Sequence, residues 1–103
     1  MWRSAWTALL FLTLPACGKE THSLPLEEDK LVAVLADVHV AEAALQHLAG
    51  PIKDSTAALY YEQIFTIHGV EEADFDTAVV RLRDDPDRLR EIYARVLVRL
   101  DST

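Results

Sequence analysis

Apolar residues recur at steps of three and four positions through most of the chain after residue 26. In the first of these segments the apolar positions are Leu31, Val34, Leu35, Val38, Ala41, Leu45 and Leu48. This spacing puts them on one face of an α-helix, and the carboxylates at 27–29 are favourable at its amino-terminal end. The pattern predicts a long helix over about 26–48, which the Gly50-Pro51 pair is expected to end.

Two shorter helices are predicted next. The first is expected to begin at a cap formed by Asp54 or Ser55 and to end at Gly69. Its apolar face consists of Tyr61, Ile64, Phe65 and His68. The other begins at about Glu71, and its apolar face consists of Phe75, Ala78, Val79 and Leu82.

A fourth helix has the clearest start signal, with Asp85 as its N-cap and Pro86 as its first residue. Its apolar face consists of Leu89, Ile92, Tyr93, Val96 and Leu100. Its arginines are expected to face the solvent: Arg88, Arg90, Arg95 and Arg99. Glu91 and Arg95 have the spacing of a surface ion pair.

The fold class follows from these four segments. No segment alternates apolar and polar residues as a half-buried strand does, and the connections between the helices are short. A chain of 103 residues with 50% hydrophobic and 26% charged residues is typical of one globular domain. The sequence therefore predicts an all-α fold, a small three- to four-helix bundle.

The chain begins MWRSAWTALLFLTLPAC, with a cation at Arg3, an apolar run, and the small residue Ala16 before Cys17. This is the layout of a secretory signal, and its apolar run is too short to span a bilayer. Cys17 is the only cysteine, so a disulfide within the chain is excluded. A buried thiol and ordinary signal cleavage are two alternatives. The favoured interpretation is that Leu14-Pro15-Ala16-Cys17 resembles the lipobox, which the bacterial lipoprotein peptidase cuts just before the cysteine.

The lipobox interpretation divides the chain into a lipoprotein signal peptide (1–16), a lipidated cysteine with a tether (17–26) and a helical domain (27–103). It implies a diacylglycerol on Cys17 and a further acyl chain on its amino group. Two or more such chains hold a protein stably on a membrane. We therefore expect a lipid-anchored domain that faces the periplasm, on the cell membrane or the outer membrane of a bacterium.

Charge narrows the choice of partners. The net charge is −7, and removal of residues 1–16 would take away Arg3 but no carboxylate. An acidic chain without a basic stripe is poorly suited to bind nucleic acid, and anionic lipid would repel it. The expected partners are the membrane, through the lipid on Cys17, and another envelope protein.

The stretch DVHVAEA concentrates polar side chains in the otherwise apolar first helix. Glu42 lies about 20° around the helix axis from Leu31, which places it inside the apolar face and predicts a partner for its carboxylate. His39 and Gln46 are helix neighbours of Glu42, whereas Asp37 faces elsewhere. These four residues form the candidate polar cluster: Asp37, His39, Glu42 and Gln46.

Two interpretations of this cluster are open. In the favoured one, Glu42 belongs to a buried hydrogen-bond network with its helix neighbours, or with a tyrosine or an arginine from another helix. In the other, His39, Glu42 and His68 bind a metal ion or act as acid and base, because His-x-x-Glu places two ligands on one helical face. A metal site in a bundle normally needs three or four ligands, and no further ligands are evident. No cofactor is therefore expected.

Aromatic residues are numerous in the second half of the chain: Tyr60, Tyr61, Phe65, Phe75 and Tyr93. They have helical spacing, and such residues usually belong to a core rather than to a binding pocket. We therefore expect them to be core residues.

Several motifs, in a fixed order, resemble one family of small bacterial envelope lipoproteins. They are Cys17, Leu24-Pro25, the stretch from Asp37 to Ala43, Tyr61 with Ile64-Phe65, His68-Gly69-Val70, Phe75, and Pro86 with Leu89, Ile92 and Tyr93. That family is catalogued as domain of unknown function 4296. The resemblance implies a location in the cell envelope and a helical fold, and it implies no particular chemistry.

The expected function is that of a lipid-anchored periplasmic binding or accessory module of the bacterial cell envelope. No catalysis is expected, because motifs for a nucleophile elbow or a phosphate-binding loop are missing. The alternative is a metal-binding protein or a metal-dependent enzyme that uses His39, Glu42 and His68.

Overall fold

A computed structural model describes residues 23–102 of the protein. These residues form four helices and no strand: α1 (Glu28–Ala44), α2 (Gly50–His68), α3 (Glu72–Arg83) and α4 (Pro86–Asp101). The predicted all-α bundle is confirmed. The signal peptide predicted at 1–16 and the lipidated cysteine predicted at Cys17 lie outside the described residues.

Helix α1 is the central helix of the bundle, because α4 and α2 both pack against it. The α1 residues Leu31 and Leu35 belong to one core cluster with Leu82 of α3 and Ile92 of α4. A second cluster joins α1 to Ile64 of α2 and to Val70 through these α1 residues: Val34 and Ala41. Burial against neighbours on two sides explains why residues 31–36 are all apolar, which is wider than the stripe of a surface helix.

The boundary between α1 and α2 differs from the prediction. Helix α1 ends at Ala44 rather than near residue 48, and the Gly50-Pro51 pair begins α2 instead of ending α1. Proline is tolerated in the first turn of a helix because the missing N–H has no partner there, and Gly50 supplies a positive φ of 66°. Ser55 therefore lies inside α2, where its hydroxyl donates to the carbonyl of Pro51 at 3.0 Å instead of capping the helix.

The predicted stop at Gly69 and the predicted start at Asp85 are confirmed. Gly69 adopts the left-handed conformation, with φ 66° and ψ 39°. The N–H of Val70 then donates to the carbonyl of Phe65 at 2.9 Å, and Val70 is buried, which completes a Schellman motif. At the other end of α3, the Asp85 carboxylate accepts a hydrogen bond from the N–H of Arg88 at 3.3 Å and caps α4.

Two arginines of α4 connect it to α1. The prediction that the α4 arginines face the solvent holds for Arg90, Arg95 and Arg99, which are exposed, and is wrong for Arg88, which is partly buried. Arg88 Nη2 lies 2.8 Å from the Glu28 carboxylate, and Arg95 Nη1 lies 3.1 Å from the other oxygen of the same group. Arg95 also pairs with Asp29, and not with Glu91 as its spacing suggested. Glu28 and Asp29, in the first turn of α1, thus make a tertiary contact with α4 in addition to their favourable interaction with the helix dipole.

The residues before α1 pack on the bundle. Leu24 and Leu26 are partly buried against the core, and a guanidinium N–H of Arg81 donates to the carbonyl of Ser23. Residues 23–26, which the sequence placed in the tether, therefore contact the helical bundle. The reason is that both leucines have apolar surface to bury.

Within residues 23–102, no helix combines the length and the apolar character that crossing a membrane requires.

Candidate functional site

Two polar contacts connect α1 to α2. The Nε2 atom of His68 lies 2.7 Å from Oδ2 of Asp37, and the hydroxyl of Tyr61 donates to Oε2 of Glu42. Both carboxylates of the candidate polar cluster therefore take their partner from α2 rather than from their own helix. These two contacts fix how α1 and α2 are aligned.

The predicted burial of Glu42 is wrong, since its side chain is exposed. Glu42 shares the angular position of Leu31, but it lies roughly 16 Å further along the helix axis. The core cluster that covers Leu31 contains no residue of α1 beyond Ala36. Glu42 is consequently exposed at the edge of the second cluster, although Ala41 and Leu45 close to it are buried.

The four residues of the candidate cluster do not form one network. His39 and Gln46 are both exposed, and neither takes part in the two contacts with α2. The alternative metal site is not assembled either. In the described part of the chain, no three histidine, cysteine or acidic side chains lie close enough together to hold a metal ion.

Three aromatic rings form a row beside the Tyr61–Glu42 contact. The rings of Tyr61 and Phe65, one helical turn apart on α2, are stacked with centroids 6.3 Å apart and an interplanar angle of 16°. The Phe65 ring is 5.2 Å from that of Phe75 on α3, at an angle of 46°. Offset and tilted pairs of this kind are favourable, so the row is a stabilising contact between α2 and α3.

The row forms part of an open groove with a volume of about 540 Å³, which we call the aromatic groove. Its apolar walls are formed by Leu35, Val38, Tyr61, Phe65, Phe75, Val79, Val80 and Tyr93. Its polar lining residues are Glu42, Glu72, Asp76 and Arg83. Val80 is 53% exposed and Tyr93 is 44% exposed, so part of the apolar wall is in contact with solvent.

The prediction that the aromatic residues belong to the core holds only in part. Tyr60, Tyr61, Phe65 and Phe75 pack against a core cluster, but none of them is fully buried. Tyr93 is exposed, contrary to the prediction. One sequence signal for the groove was available. Val80 lies about 160° around the axis of α3 from both Ala78 and Leu82, so it faces away from the core that these two residues enter.

One protein family matches the part of the chain that contains all of these features. Residues 24–103 match the family described as "Domain of unknown function (DUF4296)". The chain belongs to this family. The resemblance to domain of unknown function 4296 is thereby confirmed, and the match extends over all four helices of this DUF4296 domain, with both polar contacts and the aromatic groove. None of the curated proteins or solved structures with which the chain was compared matches it.

The protonation of Tyr61 is unusual in this DUF4296 domain. Burial, the hydrogen bond to Glu42 and the negative charge of the Glu42 carboxylate together raise the pKa of Tyr61 to about 12. An unfolded tyrosine ionises near pH 10. The contribution of Tyr61 to the free energy of unfolding is therefore complete below about pH 10 and is lost as the pH rises to about 12.

We expect Glu42→Gln to lower the pKa of Tyr61 part of the way towards the ordinary value. The substitution removes the charge of Glu42, whereas burial, the largest cause, remains. The measurement is a titration of tyrosinate absorbance, with Tyr61→Phe used to identify the signal of this residue. Glu62→Gln is the matched control, since Glu62 is an exposed carboxylate next to Tyr61 in the sequence. An unchanged Tyr61 pKa in Glu42→Gln would contradict the Tyr61–Glu42 contact.

Proposed function

We propose that this protein is a lipid-anchored module of the bacterial cell envelope that binds another envelope protein through the aromatic groove. The observation that carries the proposal is the exposure of Val80 and Tyr93 at the wall of a groove lined by aromatic rings. Apolar side chains that stay accessible beside half-buried aromatic residues are typical of protein-binding surfaces.

The groove is better suited to binding than to catalysis. The phenol of Tyr61, beside Glu42, stays protonated up to about pH 12, so it is neither a nucleophile nor a base at physiological pH. The hydroxyl of Tyr61 donates its hydrogen bond to Glu42. The Glu42 side chain is exposed to solvent, unlike the buried carboxylates that are typical of active sites. These contacts give the groove a defined shape and a defined charge, which a binding surface needs.

The proposed anchor is the lipid on Cys17, which precedes Ser23, the first described residue of the chain. The chain between these residues spans roughly 20 Å at most, which would keep the domain close to the membrane. Arg81 binds the carbonyl of Ser23, and Arg81 follows the groove residue Val80 on α3. The anchor would therefore hold the domain close to the membrane and raise the effective concentration of a membrane partner at its surface.

Site-specific photo-crosslinking tests this function. A benzophenone amino acid is placed in the full-length protein in bacterial cells at position 80 or 93, inside the groove. The controls are positions 52 and 98, because Ile52 and Val98 are 65% and 69% exposed but lie outside the groove. We expect one discrete adduct from the two groove positions and none from the controls. Adducts of equal yield at all four positions, or none at 80 and 93, would refute the proposal.

A further inference from the structure

The carboxylates of the aromatic groove point to the chemistry of its partner. Resting on the proposed function, we infer that the groove takes a cationic amphipathic helix of the partner protein, with leucine-like side chains on one face and lysine or arginine beside it. The inference combines the charge of the lining, the aromatic row and the absence of a sheet edge in the described residues.

The lining of the groove is acidic. It contains the carboxylates of Glu42, Glu72 and Asp76 against the single cation of Arg83. Within residues 23–102, neither Glu72 nor Asp76 is engaged in an ion pair, so both are available to a ligand. A depression that shares Tyr61, Phe65 and Glu72 with the groove adds three more acidic residues: Asp54, Glu62 and Glu71. Charge complementarity therefore selects a cationic ligand.

The aromatic row favours lysine and arginine in particular. Aromatic rings carry negative electrostatic potential on their faces and attract such side chains, and Tyr61, Phe65 and Phe75 all line the groove. The long apolar stems of lysine and arginine can lie along Val79 and Val80, while their charged ends reach the carboxylates at the rim. One residue type thus satisfies the apolar wall and the acidic lining together.

A helix is the partner element that this groove fits. Residues 23–102 form helices and turns only, so a partner has no strand edge to extend. A groove between helices accepts the side-chain ridge of another helix. A second copy of this chain is disfavoured as the occupant, because it would bring its own net charge of −7 to an acidic groove.

The test uses two synthetic amphipathic helices with the same leucine pattern, one with lysine and one with glutamate at the polar positions. Each carries a photo-crosslinker and is titrated against the full-length protein in nanodiscs of zwitterionic lipid. The readout is the peptide concentration that gives half-maximal adduct, with the crosslinked residues located by mass spectrometry. We expect the lysine peptide to give adducts on α2 and α3 that weaken with added salt, and the glutamate peptide to give none.

A pair of matched variants separates local recognition from general attraction. Glu72→Gln/Asp76→Asn removes two groove carboxylates, and Glu91→Gln/Asp101→Asn removes two exposed carboxylates outside the groove. The two variants have the same net charge as each other, because each loses two carboxylates, and circular dichroism confirms that each is folded. We expect the half-maximal concentration to rise at least about tenfold for the groove variant and less than about twofold for the control.

Several results would overturn the inference. Equal weakening in the two variants would mean that only the net charge matters, and equal binding of both peptides would mean that the groove is not selective for cations. Equal binding of both peptides would leave the proposed function standing and refute only the cationic helix. The same holds if position 80 crosslinks in cells while neither peptide binds. If neither peptide binds and position 80 gives no adduct in cells, both fail. Crosslinks between two copies of this chain at position 80 would identify self-association instead.

Discussion

Leu31→Ala is expected to lower the free energy of unfolding by about 3 to 5 kcal/mol, which is the range for removing a fully buried leucine. Leu31 is 0% exposed and lies in the central helix, where it contacts a cluster that includes residues of α3 and α4. Alanine is a better helix former than leucine, so the loss comes from the cavity rather than from helix propensity. The same substitution at Leu97, which is 60% exposed, should cost less than about 0.5 kcal/mol.

The loss at Leu31 is large for a domain of this size. About 80 residues correspond to a total stability of roughly 4 to 12 kcal/mol. Urea unfolding followed by circular dichroism measures both variants, and Leu31→Met serves as a third variant that keeps most of the volume and should cost less than about 1.5 kcal/mol. Similar losses for Leu31→Ala and Leu97→Ala would contradict the central position of α1.

Much of the fold was predictable because helical periodicity and capping are local signals. Gly69 and Asp85 act on their own helices, and both were identified correctly. The Gly50-Pro51 pair was misassigned because glycine and proline are compatible with the end of one helix and with the start of the next. The structure ends α1 at Ala44 and begins α2 at Gly50, with Leu45 buried in the connection between them.

The partners in the candidate site were harder to predict than the helices. A tyrosine hydroxyl was among the partners considered for Glu42, and the structure selects Tyr61. His68 lies 31 positions from Asp37 in the sequence, so no local spacing indicates their contact. The exposure of Glu42 was missed because an angular position on a helix does not tell how completely the neighbouring helices cover that point.

The proposed anchor yields the second large effect. Cys17→Ser is expected to abolish incorporation of a fatty-acid probe, because serine lacks the thiol that accepts the diacylglycerol in a lipobox. Replacing this one sulfur atom with oxygen is therefore expected to change full labelling to none. Leu31→Ala is the matched control, since it weakens the folded domain but leaves the lipobox intact, and it should retain the label per molecule of protein. Equal labelling of the wild type and Cys17→Ser would refute the lipobox interpretation.

The intact mass of the protein extracted from native membranes tests the lipid-anchored module most directly. The account predicts a chain that begins at Cys17, carries a diacylglycerol and a further acyl chain, and contains no tryptophan, because Trp2 and Trp6 precede the cleavage site. Tryptophan emission of the same sample should accordingly be absent. A mass corresponding to a chain that retains Trp2 and Trp6, or to one that starts at another residue without lipid, would contradict the account.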